Sequence, residues 1–89
     1  MSFEDLNKDF EARHPKCLPT GSRFWFNAEW KKGNESINDL LIRWLKEWNL
    51  PYLRDLSGNI WFLFDGEWTN CTHNVFDDIV TFSINLYEM

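Results

Sequence analysis

Hydrophobic positions recur along this chain with two different periods, and the changes between them mark out its elements. Phe3, Leu6 and Phe10 follow a helical spacing that stops at Pro15, and Ser2 with Asp5 three residues on resembles a capping box, so a short first helix is expected. From Arg23 to Glu29 the period drops to two. Phe24, Phe26 and Ala28 share one face and Arg23, Trp25, Asn27 and Glu29 the other, the pattern of a half-buried strand ending near Trp30. Trp25 is left on the polar side. After a turn at Lys31-Lys32-Gly33-Asn34, helical spacing returns in Ile37, Leu40, Leu41, Trp44, Leu45 and Trp48, opened by Ser36 with Asp39 and closed by Leu50-Pro51.

Short strand-like runs follow: Pro51 to Arg54, a Ser57-Gly58 turn, Asn59 to Phe64, and Glu67 to Cys71. Asp65-Gly66 between apolar runs is a strong hairpin signal, because a type I′ turn needs positive φ at both central positions. A two-residue loop sets the register, pairing Phe64 with Glu67, Leu63 with Trp68 and Phe62 with Thr69. One face of this hairpin then carries Trp61, Leu63 and Trp68, and the other Ile60, Phe62 and Phe64. Both faces are apolar, so either the strand is covered on both sides or one face is open to a partner or a second copy.

Residues 74–89 fit two patterns. As a helix they place Val75, Ile79, Phe82, Leu86 and Met89 on one stripe, with Asn74 as cap and Asp77 and Asp78 in the first turn. As a strand, Val80, Phe82, Ile84 and Leu86 alternate with Thr81, Ser83, Asn85 and Tyr87. The helix is the expectation carried forward. The fold class is therefore α+β: a single domain over residues 1–89, with a small antiparallel sheet of about four strands packed against two or three helices.

Composition adds a core and a charge pattern. Sixteen aromatics, six of them tryptophan, supply large buried groups that let an 89-residue chain fold without a disulfide framework. No signal-like apolar run opens the chain and no stretch approaches transmembrane length, so a soluble, cytoplasmic protein is expected. All nine lysines and arginines lie at or before Arg54, whereas residues 55–89 hold six carboxylates and no base. That half is −6 and the rest +1, for a net charge of −5. An electrically lopsided surface should follow, and such an acidic field suits a basic partner better than it suits nucleic acid.

Candidate chemistry is sparse. His14-Pro-Lys-Cys17 and Cys71-Thr-His73 together hold two imidazoles and two sulfurs, enough for a tetrahedral zinc site. Their spacings are not the usual ligand spacings, so free thiols and ordinary loop histidines are the expectation, with no cofactor. Arg23, Trp25, Lys31 and Lys32 combine bases with a stacking surface and form a candidate nucleic-acid site. Nothing resembles a phosphate loop, a nucleophile elbow or a catalytic triad, so an enzyme is not expected.

The segment Leu40 to Trp68, with a helix, the Tyr-Leu-Arg strand and the run NIWFLFDGEW, resembles a stretch of phage and plasmid primase-helicases in which a helix precedes a strand and an Asp-Gly-x-x-Trp-like turn. Here Glu67 alone separates Gly66 from Trp68, and the likeness spans about a third of the chain. It implies a phage or mobile-element origin. The acidic C-terminal half sets the expected function, that of a small acidic inhibitor or adaptor that binds a host protein and occupies a basic nucleic-acid cleft, with a nucleic-acid-binding accessory module as the alternative. Asp65, Glu67, Asp77 and Asp78 would be its contact carboxylates, with Trp61 and Trp68 as aromatic anchors.

Overall fold

The computed structural model describes residues 2–88. In chain order its elements are α1 (Phe3–Arg13), β1 (Gly21–Glu29), α2 (Ile37–Glu47), β2 (Tyr52–Arg54), β3 (Ile60–Phe64), β4 (Glu67–Thr69), β5 (Cys71–Phe76) and β6 (Ile79–Leu86). The strands form two three-stranded antiparallel sheets, ordered β1-β6-β5 and β2-β3-β4. This corrects the expected single sheet of about four strands with two or three helices. The difference comes from residues 71–86, which are a β-hairpin and not a helix.

That hairpin turns on Asp77-Asp78, with Asp77 at φ 59° and Phe76 paired with Ile79. Strand alternation then sends Val80, Phe82 and Ile84 inward, at 0%, 1% and 1% exposure. The same residues could have formed a helical stripe. Pairing decides between the two, because β6 is the central strand and bonds to β1 on one side and β5 on the other. Asp77 and Asp78 thus sit in a turn and do not complement a helix dipole. Met89, the last residue of the expected stripe, lies outside the described residues.

Both helices start where their caps place them. The Ser2 and Ser36 hydroxyls accept from the backbone N–H of Asp5 and Asp39 at 3.2 and 3.1 Å, satisfying donors that the first turn leaves without a partner. α2 buries Leu40, Leu41 and Leu45 against Ala28, Val80, Phe82, Ile84 and one face of β3, through Ile60 and Phe62. α1 lays Leu6 and Phe10 on the other face of β3, against Leu53, Trp61 and Trp68. The Asp65-Gly66 hairpin has the expected register, with φ of 53° and 78° at its turn. Both of its apolar faces are covered from within the chain, which removes it as an interface between copies. Each fully buried phenylalanine, such as Phe62 or Phe82, contributes roughly 2–3 kcal/mol of transfer free energy.

The two sheets meet at Asn70, where the chain leaves β4 and enters β5. Its backbone C=O accepts from the Asn85 N–H at 2.9 Å, and its side-chain oxygen accepts from Asn85 Nδ2 at 2.6 Å and the Tyr87 hydroxyl at 2.7 Å. Thr69, 1% exposed, donates to the Asn85 C=O at 2.7 Å. The polar groups of the junction are thereby satisfied. Among the described residues, no helix is long and apolar enough to cross a membrane.

Candidate functional site

Charge segregation along the chain does not survive folding. Arg23 lies beside the β3–β4 turn, where it donates to Glu67 at 2.9 Å, approaches Asp65 at 3.6 Å, and sits 5.2 Å above the Phe64 ring. From the other side, Arg13 donates to the Gly66 C=O at 2.9 Å while holding Asp9 at 2.8 and 2.7 Å. Two bases of the N-terminal half thus latch a turn of the acidic half. Asp65 and Glu67 remain exposed but are locally compensated.

Asp77 and Asp78 lie elsewhere. The Asp78 C=O accepts from the Trp30 N–H at 2.8 Å, at the far end of β1 from Arg23. The six steps from residue 23 to residue 29 span about 20 Å, so the four expected contact carboxylates form two separate groups. A continuous acidic surface is not what this fold builds.

The expected anchors Trp61 and Trp68 are core residues, at 9% and 3% exposure. Their indole N–H groups donate within the chain, Trp61 to Asp55 at 3.0 Å and Trp68 to Asp9 at 2.8 Å. Hydrogen bonds from Arg13 and Trp68 hold the Asp9 carboxyl below its ordinary value, against a smaller opposing effect of burial. Burial works to raise Asp55, but bonds from Trp61, Asn59 and Ser57 together outweigh it and hold that carboxyl low as well. The aromatic hairpin therefore holds the fold together and offers no indole to a partner.

Arg23, Trp25, Lys31 and Lys32 do not form one surface either. A β-bulge between Ser22 and Phe24 turns Arg23 out of the strict alternation and toward Phe64 and Glu67. Trp25 stays on the opposite face at 63% exposure, and Lys31 and Lys32 follow the strand at its distant end. His14, Cys17, Cys71 and His73 are likewise not gathered. His14 stacks on Phe10 at 4.3 Å, whereas His73 lies near Phe82, and no three metal-ligating side chains converge among the described residues. Burial pushes the Cys71 thiol up to about 12, so thiolate formation is opposed.

A cleft of about 620 Å³ lies between the end of α1 and the sheet junction and is lined by Arg13, His14, Lys16, Arg23, Glu67 and Tyr87. Its basic look is deceptive. Arg13 and Arg23 already pair with Asp9, Gly66, Glu67 and Asp65, and an entering anion would compete with those partners.

What the fold does leave open is one face of β1-β6-β5. Paired residues share a face, which gives three rows: Trp25-Ser83-Thr72, Asn27-Thr81-Asn74 and Glu29-Ile79-Phe76. The Thr81 hydroxyl donates to Asn27 at 2.7 Å across the middle row. Trp25 at 63% exposure and Phe76 at 84% occupy opposite corners, about 16 Å apart from strand spacing and rise. Asp77 and Asp78 adjoin the Phe76 corner. Phe76 escaped the sequence reading because a helical reading of its segment gave it no face. The strand-like pattern on both sides of Asp77-Asp78 was the signal that could have found it. No protein-family model matches this chain, and comparisons with curated proteins and with solved structures yield no match either.

Proposed function

We propose that this chain is a non-enzymatic interaction protein, an inhibitor or adaptor, that docks a basic protein partner on the open face of the β1-β6-β5 sheet. The observation that carries this reading is a sheet packed on one side only, with Trp25 and Phe76 exposed on the other. Rigid aromatics on a strand lose little side-chain entropy when covered, and such residues dominate binding energy at interfaces. Polar Ser83, Thr72, Asn27, Thr81 and Asn74 between them give a rim-like surface suited to hydrogen bonding. Asp77 and Asp78 retain their expected role as steering charges, next to Phe76, while Trp25 and Phe76 replace Trp61 and Trp68 as anchors. Asp65 and Glu67 are assigned to the fold, through Arg23. A cytoplasmic setting, in which Cys17 and Cys71 stay free thiols, goes with this reading.

The test is affinity capture followed by titration of the purified partner, in the presence of nuclease. The double substitution Trp25→Ser with Phe76→Ser should weaken the complex about tenfold or more. Reversing Asp77 and Asp78 to lysine should slow association and flatten its salt dependence. Undiminished binding by the Trp25 and Phe76 variant would refute the assignment of the open face, and recovery that vanishes with nuclease would refute a protein partner.

A further inference from the structure

The same sheet has an edge with its own features. Among the described residues β5 bonds to β6 alone, and residues 72–76 are all exposed. An unpaired edge strand presents a row of free N–H and C=O groups, and proteins usually guard such edges with charges or proline. Cys-Thr-His-Asn-Val-Phe contains neither an Asp, Glu, Lys or Arg nor a proline. Val75 and Phe76, at 44% and 84% exposure, flank its end on the two faces.

Beside this edge, on the inner side of the sheet, lies a pocket of about 160 Å³. His73 and Cys71 of β5 form one wall, and Asn38, Asn59, Leu41 and Phe82 contribute to the others. That volume is well below the several hundred Å³ of a small-molecule site, and it matches one side chain. Asparagine amides and an imidazole, set over leucine and phenylalanine, suit a residue with a short apolar stem and a hydrogen-bonding head. An edge that supplies main-chain bonds, next to a pocket that reads an alternate side chain, is the physical arrangement of strand addition.

Charge selects the occupant. Asp77 adjoins the edge, in the turn that ends β5, whereas Lys31 and Lys32 follow β1, two strands or about 10 Å across the sheet. A second copy carries −5 and is repelled, while a basic segment is attracted. We infer that the β5 edge and the pocket at His73 form a strand-addition site for an extended segment of another protein, with a lysine or arginine toward Asp77 and an amide- or hydroxyl-bearing side chain in the pocket. This rests on the reading of the chain as a protein-binding module and specifies how the partner is held.

The probe is a displayed library of random linear peptides, selected on the full chain at low ionic strength. Enriched peptides should carry a base near one end, and on binding they should protect alternate β5 amides, those facing away from β6, in hydrogen–deuterium exchange. His73→Lys should weaken the best peptide about tenfold or more, and Leu18→Ser, at an exposed position in the loop between α1 and β1, should leave it within about twofold. The exchange measurement on the unsubstituted protein holds even if His73→Lys perturbs folding. Failure to enrich any peptide, or protection that avoids residues 71–76, would overturn the site. Sensitivity to Trp25→Ser with β5 unprotected would overturn strand addition while leaving the open-face reading intact. Protection of β5 that grows with protein concentration in the absence of peptide, with a dimer in sedimentation, would overturn it in favour of a second copy.

Discussion

Trp68 and Trp25 offer a sharp test of where this molecule keeps its stability and where it keeps a surface. Trp68 is 3% exposed, packs with Leu6, Leu53 and Trp61, and meets the Phe10 ring edge-on at 5.1 Å. An indole buries about 200 Å², worth roughly 5 kcal/mol at about 25 cal/mol per Å². Truncation recovers part of this by collapse, so Trp68→Ala should cost roughly 3–5 kcal/mol. A chain of this size is stable by about 4–13 kcal/mol, so the variant should lose a large share of its stability, with Tm lower by about 12 °C or more. Trp68→Phe should cost less, because an aromatic ring still fills much of the site, although the hydrogen bond to Asp9 is lost. Trp25→Ala, on the open face, should stay within about 0.5 kcal/mol. Urea unfolding followed by far-ultraviolet circular dichroism reads all three, provided the m-values agree. A Trp68→Ala protein within about 1 kcal/mol of the parent would refute the packing of α1 on β3 and β4.

Other consequences are independent of that core. Arg23→Met should cost no more than about 1 kcal/mol, because its carboxylate partners are solvated, and the difference should shrink in about 1 M salt; a salt-independent loss would contradict the ion-pair assignment. Asp9 and Asp55 have carboxyl pKa values held below the ordinary range, so the stability they add is present above that range and is lost as pH falls through it. Urea midpoints between about pH 2 and 6 should therefore fall toward acid, and more shallowly in the Asp9→Asn, Asp55→Asn double variant; an equal slope would reject the assignment. At about pH 8, iodoacetamide should alkylate exposed Cys17 and spare Cys71, which burial keeps protonated, until the chain unfolds. Mass spectrometry counts the additions, and a second one on the folded protein would contradict the burial.

Elements whose determinants lie within a few residues could be read directly from the sequence. Ser2 and Ser36 cap the helices that follow them, and Asp65-Gly66 sets the register of β3 against β4 because two positive-φ residues admit one tight turn. The two-sided apolar character of that hairpin was legible too, as was the polar-side position of Trp25.

Tertiary structure decided the rest, since contacts distant in sequence outweighed local preference. Residues 79–86 satisfy a helical and a strand pattern alike; β1, paired with them across 50 residues or more, supplies backbone partners that make them a central strand. Trp61 and Trp68 read as surface anchors only until α1 is placed over them. The division of charge along the chain promised a lopsided field, yet Arg23 of the first half pairs with Asp65 and Glu67 of the second. A linear pattern records which groups are present, whereas their neighbours depend on which strands lie side by side. That depends on long-range burial of Val80, Phe82 and Phe62, for which no local rule exists.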